Sequence, residues 1–290
     1  MNTFNLMNKE KIGLIGLGLV GTAVSERLIE SGLEVAGYDV RDDTPDGLTI
    51  CSGPGEVLSL CERVILCVPT SEVVAEVVNE SREHFRSGQI VIDTGTGSPK
   101  QMEQIHNDLK GQGVYYLEAP IAGSSHLLRN KKAPIFTAGD KTIIDEQCDL
   151  FNSLTEKCFY LGTFGKASRF KLVHNLLIGL NRAVLAEGLQ FAESLGFDSQ
   201  ESLSILKQTT ASSGVMHTKG ERMGARDYDD PQAFVSQHLK DVKLILEESE
   251  KSGAIVPMSA LHKELLESVE KLGLGSVDNS AIMEAFNPES

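Results

Sequence analysis

The sequence is poor in basic residues, and this deficit limits the partners that the protein can have. Its 290 residues include 27 Lys and Arg against 41 Asp and Glu, a formal net charge of −14. Such a charge repels nucleic acid backbones and anionic membrane surfaces, so neither is expected as a partner. An anionic cofactor remains possible, because backbone N–H groups at a helix N-terminus act at contact distance.

Cysteine pairs and long apolar runs are missing as well. The five cysteines contain no C-x-x-C pair, so they are interpreted as small core residues in a reducing compartment, with neither zinc nor disulfides. The first ten residues lack an apolar signal core, and no apolar run reaches the roughly 20 residues of a membrane span. The sequence therefore predicts a cytoplasmic protein without a metal site.

Short apolar runs alternate with amphipathic stretches in the first half of the chain. The runs are almost continuously apolar, which is typical of parallel strands buried on both faces. They cover residues 12–15, 34–38, 64–68, 90–92, 114–117, 135–137 and 159–161. This alternation predicts a doubly wound, Rossmann-type α/β domain over residues 1–162.

The second half of the chain has only helical periodicity. It predicts an all-α substrate and oligomerisation domain over residues 163–290, joined to the first domain by a long helix at about 167–195. Further helices are predicted at 200–208, 231–251 and 258–271, and residues 211–230, rich in Ser, Gly and charge, are predicted to form a long loop. The apolar helix surfaces favour a homodimer or homotetramer.

A glycine-rich segment, Gly16-Leu17-Gly18-Leu19-Val20-Gly21, follows the first predicted strand and opens the first predicted helix. Gly16 permits a tight turn, Gly18 lets the backbone approach a pyrophosphate, and Gly21 allows close packing of the helix on the strand. Asp39 ends the next strand, about 20 residues later, where a carboxylate accepts hydrogen bonds from a ribose. The spacing predicts a dinucleotide-binding site.

Asp39 and Arg41 give opposite indications about the cofactor. The Asp39 carboxylate would repel a ribose 2′-phosphate, which favours NAD over NADP. Arg41 could instead hold that phosphate with two hydrogen bonds, or simply be a solvated loop charge. NAD is the expected cofactor, with NADP as the alternative.

Three later loops follow predicted strands, at the sheet edge where doubly wound domains bind ligands. Val68-Pro69 is suited to packing against the adenosine half of a dinucleotide, and Thr96 can reach the nicotinamide side. Both segments are also compatible with ordinary strand-to-helix turns. The small residues that follow the fifth run, in the segment 118–125, can present backbone N–H groups to a carboxylate.

Polar residues interrupt the apolar stripe near the start of the long helix. Lys171 and Asn175 are spaced i and i+4, so they share one face. A lysine can protonate a carbonyl oxygen during reduction, whereas the simpler interpretation is a surface lysine with an extended stem. We interpret Lys171 as the proton-transferring residue and Asn175 as a positioning residue. His174 either binds substrate or packs in a helix interface.

Together these motifs resemble the β-hydroxyacid dehydrogenases, which include 3-hydroxyisobutyrate dehydrogenase and tartronate semialdehyde reductase, over about residues 12–281. Besides the glycine segment, the resemblance rests on Tyr38-Asp39-Val40, Val68-Pro69, Asp93 with Thr96 and Pro99, residues 119–123, residues 171–175, Phe234, Leu239-Lys240-Asp241 and residues 278–281. It implies hydride transfer between NAD(H) and a small β-hydroxy acid or the corresponding aldehyde or keto acid.

The motifs and the resemblance define an expected site. Lys171 is the catalytic residue, and the substrate acid is expected to contact Gly123, Ser124, Ser125, His174 and Asn175. Cofactor contacts are expected from the segment 16–21 and from Asp39, Val40, Val68, Pro69, Val73, Thr96 and Lys240.

The chain departs from the family pattern near the substrate. Ala122 and Gly95 stand where the family has serines, Ser124 replaces a glycine, His174 replaces the first of two asparagines, and His126-Leu127 replaces a Gly-Ala pair. The missing hydroxyl at Ala122 removes one hydrogen bond to the substrate, so the substrate itself stays open. Two alternatives remain: a non-catalytic dinucleotide-binding sensor or scaffold, and an imine reductase-like enzyme.

Overall fold

The computed structural model describes residues 10–41 and 44–287. These residues form two compact units, which divide between Lys171 and Leu172 within one long helix. The first unit combines strands and helices, and the second is helical.

A six-stranded parallel sheet is the framework of the first unit. Its strands are β1 (Lys11–Ile15), β2 (Glu34–Tyr38), β3 (Thr49–Ile50), β4 (Arg63–Leu66), β5 (Ile90–Asp93) and β6 (Tyr115–Glu118). Their order in the sheet is β3-β2-β1-β4-β5-β6, with Ile12 of β1 opposite Val35 on one side and Arg63 on the other. This order is the one found in dinucleotide-binding domains, so the predicted doubly wound fold class is confirmed.

Helices cover both faces of this sheet. They are α1 (Leu19–Glu30), α2 (Pro54–Leu60), α3 (Ser71–Glu80), a 3₁₀ turn (Arg82–His84), α4 (Pro99–Lys110), α5 (Ser125–Arg129), α6 (Lys141–Glu146) and α7 (Cys148–Leu154). Successive strand residues point to opposite faces. Leu14 therefore joins the core that contains α1, whereas Ile15 joins the core that contains α2 to α4. Burial on both faces explains why the strand runs are continuously apolar.

The sheet differs from the prediction at both ends. β3 was not predicted, because a two-residue strand carries no periodicity. The predicted runs 135–137 and 159–161 do not join the main sheet: β7 (Ile135–Thr137) and β8 (Cys158–Tyr160) form a separate two-stranded parallel sheet. The pairing partners of such short strands are decided by tertiary contacts, which a local pattern does not contain.

The second unit contains most of α8 (Lys166–Ser194), from Leu172 onward. It continues with α9 (Ser199–Leu206), α10 (Gly214–Thr218), α11 (Gly220–Ala225), α12 (Val235–Ser252), α13 (Pro257–Lys271) and a 3₁₀ segment (Asn279–Phe286). The prediction of a long loop at 211–230 is wrong, because α10 and α11 lie there. Their Ser- and Gly-rich sequence hides them, and burial of Val215 and Met223 in the helical core stabilises them.

Two predicted absences can be compared with the described residues. Among residues 10–41 and 44–287, no helix is both long and apolar enough to cross a membrane. The cysteines are unpaired, and Cys51 and Cys61 are buried as expected. Cys148 and Cys158 are exposed, so their interpretation as core residues is wrong.

Candidate active site

The glycine segment forms the turn from β1 into α1, and two of its glycines are sterically required. Gly16 has φ of +95°, and a Cβ there would lie 2.5 Å from the carbonyl oxygen of Cys67. A Cβ on Gly21 would lie 1.9 Å from the carbonyl oxygen of Gly16. The first position needs a left-handed backbone, and the second needs a helix that touches the turn.

Gly18 differs from both, because open space lies around it. It is the N-cap of α1, and the nearest described atom to a Cβ built there would be Nη2 of Arg41, at 3.8 Å. The backbone at the helix N-terminus can therefore be approached closely by a ligand, and the dipole of the helix favours an anion there. The turn fits the pyrophosphate of a dinucleotide.

Asp39 lies beside this turn and is held by three hydrogen bonds. Its Oδ2 accepts from the Leu17 N–H at 2.6 Å, and its Oδ1 accepts from the N–H of Arg41 at 2.9 Å and from Nε of Arg41 at 3.1 Å. Partial burial acts to raise the pKa of Asp39, but these hydrogen bonds from Arg41 and Leu17 outweigh it and lower the pKa. The carboxylate is thus ionised and fixed in direction.

A cavity of about 230 Å³ adjoins the glycine turn. Gly18 and Thr22 line it on the helix side, and Arg41 and Arg129 contribute two guanidinium groups. Arg129 is bound to Glu26 through Nε at 2.6 Å. Val40, one of the predicted cofactor contacts, is 87% exposed at this edge.

The next two strands end in loops that carry further predicted contacts. Val68 is half-buried and Pro69 is exposed after β4, and Val73 lies in the first turn of α3, where its N–H bonds to Oγ1 of Thr70. Thr96 is half-buried in the loop between β5 and α4. All four residues lie at the carboxyl edge of the sheet.

A buried pair organises the loop of Thr96. The hydroxyl of Tyr116 donates to Oδ2 of Asp93 at 2.5 Å, and the N–H of Gly95 donates to Oδ1 of Asp93 at 2.7 Å. Burial and the Asp93 charge raise the pKa of Tyr116 well above its ordinary value, so the phenol stays a donor. The pair fixes the start of the loop that presents Thr96.

The loop after β6 is shaped by small residues. A Cβ on Gly123 would lie 2.8 Å from the Cβ of Ala133, so this position accepts only glycine without a shift. The Ser124 hydroxyl caps α5 by accepting from the N–H of Leu127 at 3.3 Å, and Ser125 is buried. The N–H of Ala122 is already bonded to the carbonyl of Pro134 at 2.7 Å.

Lys171 is buried and points at this same loop. It is 7% exposed, and its Nζ donates to the carbonyl oxygen of Ile121 at 2.7 Å. A buried lysine is unusual, because removing an ammonium from water costs several kcal/mol unless it is paired. The interpretation of Lys171 as a surface lysine is therefore wrong.

Glu118 fixes the beginning of the helix that carries Lys171. The Glu118 carboxylate accepts from the N–H groups of Gly165 at 2.8 Å and Ala167 at 3.2 Å, and from the hydroxyl of Ser168. Burial raises the pKa of Glu118, although the hydrogen bond from Ser168 acts in the opposite direction. A carboxyl group at a helix N-terminus also interacts favourably with the helix dipole.

Asn175 follows Lys171 by four residues on α8 and belongs to the helical unit. Its Nδ2 donates to Oδ2 of Asp241 at 2.8 Å, and its Oδ1 lies 3.1 Å from Nδ1 of His174. Asp241 also pairs with Nζ of Lys240 at 3.1 Å. The helical unit thus brings together four residues of the two motifs.

Reasoning from the sequence alone assigned no role to Glu118, Tyr116 or Asp241. Each of these acts on another side chain or loop, and each partner is distant in sequence. The sequence held one indication of a role for Glu118. It is an acidic residue at the end of a buried strand, where a charge is costly unless it is hydrogen-bonded.

Comparisons with known proteins match this architecture. Residues 11–162 match the family model described as the NAD binding domain of 6-phosphogluconate dehydrogenase, and residues 165–286 match the one described as NAD-binding of NADP-dependent 3-hydroxyisobutyrate dehydrogenase. Glyoxylate/succinic semialdehyde reductase 1 of Arabidopsis thaliana is 29% identical over 95% of this chain and 98% of that protein.

Two further proteins are similar to this chain, one over only part of its own length and the other mainly in its fold. The cytokine-like nuclear factor N-PAC of Mus musculus is 26% identical over 96% of this chain but only 51% of its own length. The crystal structure of 3-hydroxyisobutyrate dehydrogenase (ygbJ) from Salmonella typhimurium has a TM-score of 0.88 with 19% identity, covering 95% of this chain and 99% of that one. At that identity the likeness establishes the fold.

The fold and the glycine turn define an NAD(P)-binding oxidoreductase with an added helical unit. The chain belongs to the β-hydroxyacid dehydrogenase family. The family, the fold class and the class of enzyme predicted from the sequence are thereby confirmed.

Proposed function

We propose that this enzyme transfers hydride between NAD(H) and a small aldehyde acid or keto acid, with Lys171 as the proton donor in reduction. The observation that carries the proposal is the buried ammonium of Lys171, held 2.7 Å from the Ile121 carbonyl beside the loop of residues 122–125. A buried, oriented lysine next to a loop of small residues suits a substrate with one carbonyl and one carboxylate.

The nicotinamide supplies the hydride when it is bound. During reduction, negative charge develops on the substrate oxygen, and the Lys171 ammonium both stabilises and protonates that oxygen. The Ile121 carbonyl accepts one of the three N–H bonds of Lys171 and thereby sets the direction of the others. In oxidation, the neutral lysine would accept the proton from the alcohol.

The substrate acid is proposed to lie against the loop of Gly123, Ser124 and Ser125. Because Gly123 packs on Ala133, the loop backbone stays close to its neighbours and its N–H groups keep fixed directions. Asn175, oriented by its hydrogen bond to Asp241, is proposed to position the substrate, with His174 beside it. Ala122 offers no hydroxyl, so a substrate that needs a hydrogen bond at that point should bind weakly.

NAD(H) is proposed as the preferred cofactor. Asp39 is ionised and directed by Leu17 and Arg41, and its charge opposes a 2′-phosphate. The guanidinium groups of Arg41 and Arg129 at the adjoining cavity would instead attract a 2′-phosphate and so favour NADP. We expect Asp39→Asn to raise the ratio of kcat/KM for NADPH over NADH on the order of tenfold, from the Coulomb energy of one nearby charge. An unchanged ratio would exclude Asp39 as the discriminating residue.

One relative bears on the non-catalytic alternative, because N-PAC is named as a nuclear factor and not as an enzyme. A scaffold would have no use for a buried lysine beside a small-residue loop. An imine reductase-like reaction is also disfavoured, because a cationic lysine suits a developing oxyanion better than an imine nitrogen.

The test compares Lys171→Ala with Lys166→Ala, an exposed lysine in the first turn of the same helix. NADH binding is measured by fluorescence titration, and turnover is measured with a panel of semialdehydes, 2-oxo acids and 3-hydroxy acids. Lys171→Ala should keep NADH binding and lose at least about 10²-fold in kcat, whereas Lys166→Ala should resemble the wild type. Equal turnover in both variants would remove Lys171 from the mechanism.

A homodimer or homotetramer remains our proposal for the assembly. Its support is a stripe on α8 where Leu177, Val184 and Phe191 follow each other at intervals of seven residues and are each 58–63% exposed. A stripe of this kind is typical of a helix-packing surface. Sedimentation velocity on the wild type and on Leu177→Asp would test it, with a monomeric wild type as the contrary result.

A further inference from the structure

His174 belongs to a chain of polar contacts within the helical unit. It lies on α8, three residues after Lys171, and it is half-buried. Its Nδ1 lies 3.1 Å from Oδ1 of Asn175. The two nitrogens of an imidazole differ in character, because the one that carries the proton donates and the other accepts. The atom that donates in this contact therefore decides what the other side of the ring can recognise.

Asp241 fixes the orientation of the Asn175 amide. Nδ2 of Asn175 donates to Oδ2 of Asp241 at 2.8 Å. Asp241 also lies 3.1 Å from the ammonium of Lys240, as the anionic member of an ion pair. A carboxylate only accepts hydrogen bonds, so the NH₂ group of the amide must face it. The amide oxygen of Asn175 therefore faces His174.

The orientation of the amide fixes the proton on the His174 ring. An amide oxygen only accepts, so Nδ1 of His174 carries a proton and donates to Oδ1 of Asn175. A neutral imidazole has one proton, so its Nε2 then has a lone pair. A second proton on the ring is opposed by the ammonium of Lys171, about one turn earlier on the same helix. Nε2 of His174 is thus a hydrogen-bond acceptor.

The other groups proposed to contact the substrate have the opposite character. The ammonium of Lys171, the second N–H bond of the Asn175 amide and the backbone N–H groups of residues 123–125 all donate. They match the oxygens of a carbonyl and a carboxylate, which accept. A substrate with only these two groups offers nothing that donates to Nε2 of His174, and its oxygens would be repelled by the lone pair.

We infer that His174 selects substrates that carry a hydroxyl group besides the reacting carbonyl, and that this hydroxyl donates to Nε2. The inference rests on the proposed function and narrows it to aldehyde or keto acids with a hydroxyl substituent. A site that hydrogen-bonds a substrate hydroxyl strongly rejects an analogue that lacks it, because a polar group of the site is then left unmatched. His174 is the specificity-determining residue, and Asp241 acts on it through Asn175.

The first test compares two acids that differ at one substituent. Glycerate and 3-hydroxyisobutyrate have the same reacting alcohol and carboxylate, but a hydroxyl in the first replaces a methyl group in the second. With NAD at pH 8, and with both enantiomers of each acid, the wild type should prefer glycerate by at least about tenfold in kcat/KM. His174→Phe should reduce this preference to about twofold or less, because only glycerate loses a hydrogen bond.

Two further variants separate the acceptor from the presence of a ring. His217→Phe makes the same change at an exposed histidine on α10 and should keep the wild-type preference. His174→Gln offers an amide oxygen in place of Nε2 and should restore part of the preference that His174→Phe loses.

A second test measures the ring proton directly and needs no turnover. The protein is labelled with ¹⁵N-histidine, and long-range ¹H–¹⁵N NMR spectra at pH 8 distinguish rings protonated at Nδ1 from rings protonated at Nε2. The His174 signals are those that disappear in His174→Phe. The wild type should show the form protonated at Nδ1. Asp241→Asn, an isosteric change, allows both orientations of the Asn175 amide, so this variant should show a mixture of the two forms.

The complex with NADH separates this inference from the proposed reaction, because neither acid can be oxidised there. Glycerate should shift the Nε2 resonance of His174, and 3-hydroxyisobutyrate should not. Such a shift without turnover of either acid would contradict the proposed reaction and support the inference. Equal turnover of the two acids, an unchanged preference in His174→Phe, or a wild-type ring protonated at Nε2 would overturn the inference and leave the reaction in place.

Discussion

The two units satisfy their buried polar groups differently. In the α/β unit, Glu118 and Asp93 are buried at strand ends and accept from backbone N–H groups of nearby loops. In the helical unit, the guanidinium of Arg182 and the neutral ring of His262 are buried on helices and have nitrogen atoms without a hydrogen-bond partner among the described residues. The difference follows from the backbone, because helices use their own N–H and C=O groups internally, whereas loops after strands have N–H groups to spare.

This contrast indicates what each unit can do with a charge. Charges at strand ends fix loops, so in the α/β unit they set the positions of Thr96 and Lys171. Charges on helices must be satisfied by other side chains or by water, and in the helical unit the Asp278 carboxylate is paired in this way with Lys219 and Ser280. Substitutions in each unit can test this contrast.

The largest effect is expected at the glycine turn. Gly21→Ala places a methyl group 1.9 Å from the carbonyl oxygen of Gly16, and neither backbone can move without disturbing β1. We expect a loss of about 3 kcal/mol or more in the free energy of unfolding, and no detectable NADH binding. Urea unfolding and NADH titration measure these two quantities. Wild-type binding by this variant would show that the turn is more tolerant than its geometry implies.

The next effect concerns the carboxylate that caps α8. Glu118→Ala leaves two buried backbone N–H groups without an acceptor, which should cost about 3 kcal/mol. Because Lys171 lies in the next turn, kcat should fall more than KM rises. Glu118→Gln retains one acceptor oxygen and should lose less on both measures. If the two variants behaved alike, the cap would not be what positions the lysine.

Lowering the pH should change the stability contributions of His262 in the helical unit and Glu118 in the α/β unit in opposite directions. His262 has its pKa lowered to about 4 from 6.5, by burial and by the Arg182 charge. Its neutral form is therefore favoured in the folded state, so its contribution is present above pH 6.5 and is lost as the pH falls towards 4. Between pH 7 and pH 5 the loss should be about 2 kcal/mol, from 1.36 kcal/mol per pKa unit.

Glu118 should respond with the opposite sign. Its pKa is raised, so its contribution is present below its ordinary pKa and is lost as the pH rises through the raised value. Urea unfolding of the wild type, His262→Asn and Glu118→Gln between pH 5 and pH 7 measures the contributions of His262 and Glu118 to the free energy of unfolding. The difference in stability between the wild type and His262→Asn should shrink in acid, and a constant difference would contradict the assignment.

The smallest expected effect is a gain in stability from a substitution at Gly188. Gly188 lies within α8, is exposed, and no described atom lies within 4 Å of a Cβ built there. In a single chain, Gly188→Ala should stabilise by about 1 kcal/mol, because alanine loses less backbone entropy in a helix. Gly188 lies on the same face of α8 as Val184 and Phe191, so destabilisation would support the proposed packing of this face on another copy of the chain. The pair Gly21 and Gly188 thus contrasts a glycine that geometry requires with one that it does not.

Sequence patterns predicted the parts of the fold that depend on neighbouring residues. The runs of β1, β2, β4, β5 and β6 stood out because both faces of each strand are buried, and α8 was predicted to within one residue at each end. The two-residue β3 and the helices α10 and α11 were not predicted, because neither local periodicity nor composition marks them.

The candidate site also has a part that could be predicted from neighbouring residues and a part that could not. Local residues alone were enough to predict the glycine turn, the position of Asp39 and the spacing of Lys171 and Asn175, since each depends on one strand, turn or helix. Long-range packing sets which groups meet across large separations, such as Glu118 with Ser168, 50 residues apart, and Asn175 with Asp241, 66 apart. It also buries Lys171 and leaves two nitrogen atoms of Arg182 without a hydrogen-bond partner among the described residues. Burial and pairing are properties of the packed chain, because they depend on what surrounds a side chain from every element.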